Sequence, residues 1–574
     1  MLDDVKNQQN TAEPKSDAVE KTGASSTELV GRVAAPFGLE ATSKDFHFWV
    51  KRGQLIEENQ FVFTESEVGG ERVKFYGVID LLKRGSRKPT MSEEFDTFDG
   101  DVNFEPAFKS EGITSARVQI LATAPEFDLP PMEQSPVSLG GANEAAVAYG
   151  FDDPKKPWMP IGLLKNGAGF AGRGMIDLDY LLGENGGHLN VNGIAGVGTK
   201  TTFLLTILKL LQREAEKSLK TNKPFFVVPI ILNVKGEDLM WLDKWNNRFS
   251  EKDAAEWRQL DVESQPFAKT TFYAPQGKPV DGCSTTEYSW SFHDVLKENL
   301  LLFIFSDEDE LNANMESLVR ELAARFTKET KDGTVVDTDA PKTWNDFLAW
   351  MGNDTNIIKQ YSGSWWAVYR RLFRVLEAGK DVFVRDEING KPLKVTKTTT
   401  SPPQVVDINT LPQSLQRFVV GSILNQVVEA RKSAKAVRGL RYLIMLDELN
   451  RFAPKGSRDE ITRLLEKVAS EMRSQGVILL GAQQMASQVS TKVIEMSSIR
   501  VLGRTGSAEL TDKVWSGFEQ TAREKAKKLQ ASEKLVMQPT FRQPMLIKMP
   551  MNPWADKRDN ILYNRDEKEL EKGI

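Results

Sequence analysis

The chain has 574 residues, 40% of them hydrophobic and 27% charged, enough for large cores in more than one domain and too apolar for wholesale disorder. A single cysteine, Cys283, excludes an internal disulfide, the scattered His47, His188 and His293 offer no zinc site, and the lack of a long apolar run or leader-like N-terminus predicts a cytoplasmic protein without a membrane partner. A net charge of −5 argues against an all-over basic nucleic-acid binder, but allows a ring with a basic channel and an acidic exterior.

Residues 1–27 are polar and read as a disordered tail. From 28 to about 124, short alternating runs (Arg32–Ala34, Phe46–Val50, Gln60–Phe63, Val73–Ile79, Ala116–Leu121) predict a small β-barrel or sandwich, followed from Pro125 by a linker to about residue 160. Over 161–552, apolar strands at His188–Asn192, Phe225–Leu232, Pro403–Ile408, Arg441–Leu446 and Gly476–Leu480 alternate with amphipathic helices such as Lys200–Lys217. That pattern predicts an α/β domain with a parallel sheet covered on both faces. Between about 280 and 400 it gives way to an insertion. Helices are expected over Glu308–Arg325 and Thr343–Leu376, with a hairpin turning at Asn389-Gly390 between Val382–Val384 and Leu393–Val395. Residues 553–574 read as a C-terminal tail.

Asn192-Gly193-Ile194-Ala195-Gly196-Val197-Gly198-Thr199-Lys200-Thr201-Thr202 follows a strand and opens a helix, the setting of a phosphate-binding loop. Gly193, Gly196, Gly198 and Thr199 would turn backbone N–H groups towards phosphate oxygens. Lys200 would reach the β- and γ-phosphates, and Thr201 and Thr202 would close the site at the helix start. Thr199 and Ile194 occupy the standard glycine positions, and Gly193 and Gly198 each sit one residue early. Alone, the loop also fits a plain strand–turn–helix corner.

The second motif narrows the choice. Arg441–Leu446 is an apolar strand ending in Asp447-Glu448, where Asp447 would hold Mg²⁺ together with Thr201 and Glu448 would polarise the attacking water. Acidic strand ends also precede ordinary helices. Both motifs, in this order and at strand C-termini, point to a P-loop NTPase that hydrolyses ATP with Mg²⁺. The next strand ends in Gln483-Gln484, and Gln483 is the candidate contact to the γ-phosphate or the water.

This succession resembles the HerA-like ATPases of the HerA/FtsK superfamily. The resemblance rests on His188, the loop 193–201, Asn233-Val234-Lys235-Gly236-Glu237-Asp238, Asp447-Glu448-Leu449-Asn450-Arg451-Phe452-Ala453-Pro454, Glu471-Met472-Arg473-Ser474-Gln475-Gly476 and Ala482-Gln483-Gln484. Asn233 replaces the family's usual Asp. The resemblance implies a HAS-barrel-like N-terminal barrel, a RecA-like ATPase domain and a homohexameric ring that threads double-stranded DNA. It further implies an Arg given in trans to the γ-phosphate, for which Arg473 matches the family's position and Arg500 and Arg504 are alternatives. Lys391, Lys394, Lys397, Arg458, Arg463 and Lys467 are basic residues that could face a channel or simply be solvated.

The resemblance also implies an effector partner: a NurA-type nuclease in archaeal end resection, or a sirtuin-like or nuclease effector in bacterial anti-phage defence, the preferred reading. One alternative is a ring-shaped ATP-binding scaffold that activates its partner with little translocation, which Thr199 favours. Another is a conjugation or protein-transporting ATPase, which the lack of a membrane segment disfavours.

Overall fold

The computed structural model describes residues 29–34, 39–85, 112–194, 200–305, 311–330, 333–353, 355–433 and 436–563, with 96, 98–101 and 103. Strands β1 (Leu29–Val33), β2 (Asp45–Val50), β3 (Phe61–Val68), β4 (Glu71–Gly85), β5 (Ile113–Ala124) and β6 (Pro136–Leu139) close into an antiparallel barrel in the order β1-β2-β5-β4-β3-β6. Alternate residues point inward, so Phe46, Phe48, Val73, Phe75, Ile79 and Val118 make its core. The closing strand β6 lies inside the stretch read as linker. It pairs with both β1 and β3, and Val137 is fully buried. Pro136 stands at its first position, where a missing N–H is tolerated.

The second body is a 12-stranded sheet among the described residues. Its strands are β7 (Trp158–Asn166), β8 (Gly169–Asp177), β9 (Leu189–Asn192), β10 (Phe226–Asn233), β11 (Thr271–Pro275), β12 (Thr285–Tyr288), β15 (Gln404–Asp407), β16 (Leu440–Leu446), β17 (Val477–Gln483), β18 (Ile499–Leu502), β19 (Glu533–Met537) and β20 (Met545–Lys548). Their order is β12-β11-β15-β10-β16-β17-β9-β18-β19-β20-β7-β8. Every neighbouring pair from β12 to β18 is parallel, and every pair from β18 to β8 is antiparallel. The fold is therefore mixed α/β: a closed barrel followed by a large, largely parallel sheet.

The parallel strands are apolar along their length because both faces are covered. Val228, Ile230 and Leu232 of β10 pack with Trp290 and Phe418 on one face; Val227 and Ile231 pack on the other with Phe203 and Ile207 of the helix Lys200–Ser218. No helix among the described residues is long and apolar enough to cross a membrane.

The insertion carries the helices Ala313–Phe326, Trp344–Asn353 and Thr355–Ala378 around an aromatic cluster in which Phe292 stacks on Phe347 at 4.3 Å. The hairpin expected at Asn389-Gly390 is not formed. Phe383 bridges to Trp290 and Lys391 to Ser289, so the first apolar run and the residue after Gly390 pair with a third segment, while the Leu393 and Val395 carbonyls accept from the side chains of Gln426 and Gln404. Gly390 serves that approach: a Cβ there would stand 2.7 Å from the Ser289 carbonyl oxygen. A two-stranded hairpin lies earlier, β13 (Thr327–Thr330) with β14 (Gly333–Val336). Residues 553–563, read as the start of a tail, are packed against the sheet domain. Trp554 is fully buried and bridges to Trp245, and Ile561 bridges to Asn246.

The barrel is seated on the sheet domain by an aromatic contact and a polar one. Tyr149 meets Phe61 of the barrel edge-on at 6.1 Å and Phe541 of the sheet domain at 5.1 Å. Gln119 of β5 donates to Glu519 at 2.9 Å across a cleft of about 1090 Å³.

Candidate functional site

Adjacent β9, β17, β16, β10 and β15 end at one edge of the sheet, and their last residues are polar: Asn192, Gln483, Asp407 and Asn233, with Asp447 directly after β16. The C-terminal edge of a parallel sheet is where carbonyl ends and helix starts converge, and where ligands of α/β folds bind. Beyond Asn192, Gly193 N–H donates to the Gln483 carbonyl at 3.3 Å and Ile194 N–H to the Arg504 carbonyl at 2.7 Å. Gly196, Gly198 and Thr199 fall outside the described residues.

Lys200 is the first residue of its helix. Lys200 is buried, and its Nζ donates to the carbonyls of Gly193 at 3.0 Å and Ile194 at 3.5 Å. Burial pulls the ammonium's pKa down; the charges of Asp447 and Glu448 oppose this only in part. Thr201 donates its hydroxyl to Asp447 Oδ2 at 2.8 Å, and Asp447 Oδ1 accepts the Glu448 N–H at 2.9 Å. Thr202 lines a neighbouring cavity of about 260 Å³ together with Lys534, Met549 and Asn552. Two residues distant in sequence thus bring a hydroxyl and a carboxylate oxygen together beside an ammonium group. Hard oxygens of this kind suit Mg²⁺. Among the described residues, no cluster of His, Cys, Asp and Glu could hold a metal without help from a ligand.

Glu448 has φ 55° and ψ 52°, the left-handed region that costs a non-glycine residue about 1–2 kcal/mol. Its carboxylate is buried and takes hydrogen bonds on Oε1 from Lys235 Nζ and, at 2.9 Å, from Gln484 Nε2. Burial pushes this carboxyl up. The hydrogen bonds from Lys235 and Gln484, with the charges of Lys235 and Lys200, outweigh burial and hold it below the usual range.

Gln483 is engaged elsewhere. Its side chain is fully buried and exchanges two hydrogen bonds with Asn190, at 2.7 and 3.0 Å. Strand alternation turns Gln483 into the sheet and frees the next residue, so the polar contact to Glu448 belongs to Gln484. Asn233 donates to Asp407 Oδ1 at 2.8 Å, so the carboxylate missing from β10 is present on the neighbouring β15. Lys235, Gln484 and Asp407 were not singled out from sequence. Lys235 and Gln484 lie within the quoted motifs, and Asp407 required the strand register.

Arg473 lies at the other edge. It precedes the 7-residue β17, whose far end carries Gln483. At about 3.3 Å per residue, Arg473 is roughly 20 Å or more from Lys200 of its own chain. A Cβ on Gly187 would stand 2.9 Å from Arg473 Cβ, and one on Gly183 would stand 2.2 Å from its carbonyl oxygen, so the side-chain stem is laid on glycine. Arg500 donates to the carbonyls of Val514 at 3.2 Å and Ile494 at 3.4 Å, and Arg504 is exposed beside Gly193. Of the basic residues considered for a channel, Lys391 pairs with Glu287 at 2.8 Å and Arg463 with Glu316 at 2.9 Å.

Among solved structures, the chain is similar to VirB4 of Thermoanaerobacter pseudethanolicus, with 14% identity over 69% of this chain and 96% of that one and a TM-score of 0.43. It is similar to the bacterial conjugative coupling protein TrwBdeltaN70, with 12% identity over 74% and 95% of the two chains and a TM-score of 0.44. It is also similar to the genome packaging NTPase B204 from Sulfolobus turreted icosahedral virus 2, with 14% identity over 26% and 69% and a TM-score of 0.21. No protein-family model and no curated protein sequence matches the chain.

Proposed function

We propose that the chain is an ATP-hydrolysing motor that works as a homohexamer on double-stranded DNA. The observation that carries this is the meeting of the Thr201 hydroxyl and the Asp447 carboxylate, 2.8 Å apart, beside the Lys200 ammonium and next to Glu448. In this reading Lys200 exchanges its carbonyl partners for β- and γ-phosphate oxygens. Thr201 and Asp447 hold Mg²⁺, which would neutralise charge on the phosphates. Glu448 orients the attacking water and accepts its proton, and Gln484 fixes the Glu448 carboxylate.

Arg473 supplies the γ-phosphate contact of a neighbouring subunit. Its distance from its own Lys200 supports a role in trans, because a charge that stabilises the leaving phosphoryl must lie within contact distance. The preferred setting is bacterial anti-phage defence, with a sirtuin-like, NurA-like or other nuclease effector as partner. The test is ATP turnover by the purified chain with and without duplex DNA, alongside its size in solution with ATP. DNA-stimulated turnover by a hexamer supports the motor. A chain that stays monomeric and hydrolyses nothing refutes it.

A second reading has one observation of its own. Two donors already occupy a Glu448 oxygen, and a carboxylate so engaged is a weaker base towards water. A ring that binds ATP, turns it over slowly regardless of DNA and holds its effector tightly would be a scaffold.

A further inference from the structure

Lys235 lies just past the C-terminal end of β10, in the turn between Asn233 and Asp238. Its ammonium is paired with Glu448, while its side chain is 48% exposed against 9% for the carboxylate. The turn does not depend on that pair for its shape. Asn233 Nδ2 donates to the Gly236 carbonyl at 2.8 Å, Gly236 N–H donates to Asn409 Oδ1 at 2.6 Å, and Gly236 supplies the positive φ of 51°. The Lys235 side chain is therefore a half-exposed cation on a turn that other hydrogen bonds hold.

It stands within electrostatic reach of Lys200, so two ammonium groups face the same small volume at the sheet edge. Like charges repel, and the arrangement is held by Glu448, Asp447 and the carbonyls of Gly193 and Ile194. A polyphosphate placed there supplies the missing negative charge.

We propose that Lys235 is a second cation for the γ-phosphate, parked on Glu448 until a nucleoside triphosphate draws it away. This rests on the nucleotide-site reading above and deepens it. One movement then does two things. It adds a charge-assisted contact to the terminal phosphate, and it removes a donor from Glu448 Oε1 so that this oxygen can face water. A diphosphate cannot reach Lys235, so the base stays capped after hydrolysis. Gln484 remains on Glu448 and keeps its orientation.

The test is equilibrium binding of ADP and of a non-hydrolysable ATP analogue, both with Mg²⁺, to the full chain. Lys235→Met should weaken the analogue roughly tenfold or more while leaving ADP within about twofold, because only the γ-phosphate contact is lost. Lys235→Arg should restore much of the difference. Glu448→Gln should bind the analogue more tightly than the wild type, since Lys235 no longer leaves an ionic partner, with ADP again unchanged. Equal weakening of both nucleotides by Lys235→Met would make the residue a support of the turn and overturn the proposal. So would unchanged binding of both. If the unaltered chain binds neither nucleotide, the nucleotide site itself is refuted, and this inference with it. ADP binding without discrimination by Lys235 refutes the inference alone.

Discussion

The two edges of the parallel part of the sheet carry two very different polar groupings. At the C-terminal edge Lys200, Lys235, Asp447 and Glu448 are charged and bonded to one another through contacts that a ligand can replace. At the N-terminal edge His188 is neutral, buried and fully satisfied. Its Nδ1 accepts the Leu479 N–H at 2.9 Å, and Nε2 faces the Ala469 carbonyl at 3.0 Å. That carbonyl belongs to a π-helical turn, Val468–Met472, which ends where Arg473 begins. Buried polar groups with complete partners hold a structure, whereas charges gathered with replaceable partners are available for chemistry. His188 and Lys200 both lie in motifs read from the sequence, yet only Lys200 stands at the edge where Asp447 and Glu448 gather.

The largest expected effect is at the charged edge. Lys200→Ala should abolish hydrolysis and weaken ATP binding, while Glu448→Gln should keep binding and slow turnover roughly 10²-fold or more. Steady-state rates and nucleotide titration read both, and near-normal turnover in Lys200→Ala would erase the contrast between the edges. Arg473→Ala should also remove hydrolysis, with nucleotide binding intact. Mixed with Lys200→Ala subunits in one ring, it should regain partial activity, because some interfaces then join an intact Lys200 to an intact Arg473. Mixed rings with no recovery would return Arg473 to a packing role and pass the question to Arg500 or Arg504.

The two adjacent glutamines sharpen the comparison. Gln484→Ala should lower the hydrolysis rate with little change in unfolding free energy. Gln483→Ala strands Asn190 inside the sheet and should cost about 1–3 kcal/mol of stability by denaturant unfolding. The reverse pattern would exchange their assignments.

The smallest effect is in pH. Burial, the largest cause, lowers the His188 pKa from 6.5 to about 4. The unfolded chain binds that proton first, so folding stability due to His188 is present above about pH 6.5 and is lost as pH falls towards about 4. His188→Gln should flatten the stability curve within that window, and an unchanged slope would show that His188 is not held neutral.

How much could be read from the residues varied with the physical signal. β10, β16 and β17 are buried on both faces, and their continuous apolar runs announced them. The helix starting at Lys200 was evident from its 3.6-residue period. By contrast, β6 has 4 residues behind a proline-rich stretch, too few for a period, and is set by its partners β1 and β3. Asn389-Gly390 has the composition of a tight turn, but tertiary packing against Ser289 decides its use. At the site, Lys200, Thr201, Asp447 and Glu448 were legible because strand ends place them together. The choice between Gln483 and Gln484 depends on which residue faces inward where the strand stops. Lys235 became visible only with its partner, 213 positions away.

The strand order also bears on how the protein is made. The barrel closes as soon as β6, Pro136–Leu139, has emerged, since all its pairings lie within the first strands. β9, which ends just before Gly193, is flanked by β17 and β18, and β7 pairs with β20 at Met545–Lys548. On a ribosome adding about 5–20 residues per second, roughly 20–80 s separate the closing of the barrel from the arrival of β20. Within that interval β9 waits for β17 and β10 for β15 as apolar strands without neighbours, and β7 has only β8, a demand on chaperones that the barrel does not make. Nascent chains arrested shortly before β17 should therefore carry a protease-resistant barrel attached to a protease-sensitive remainder.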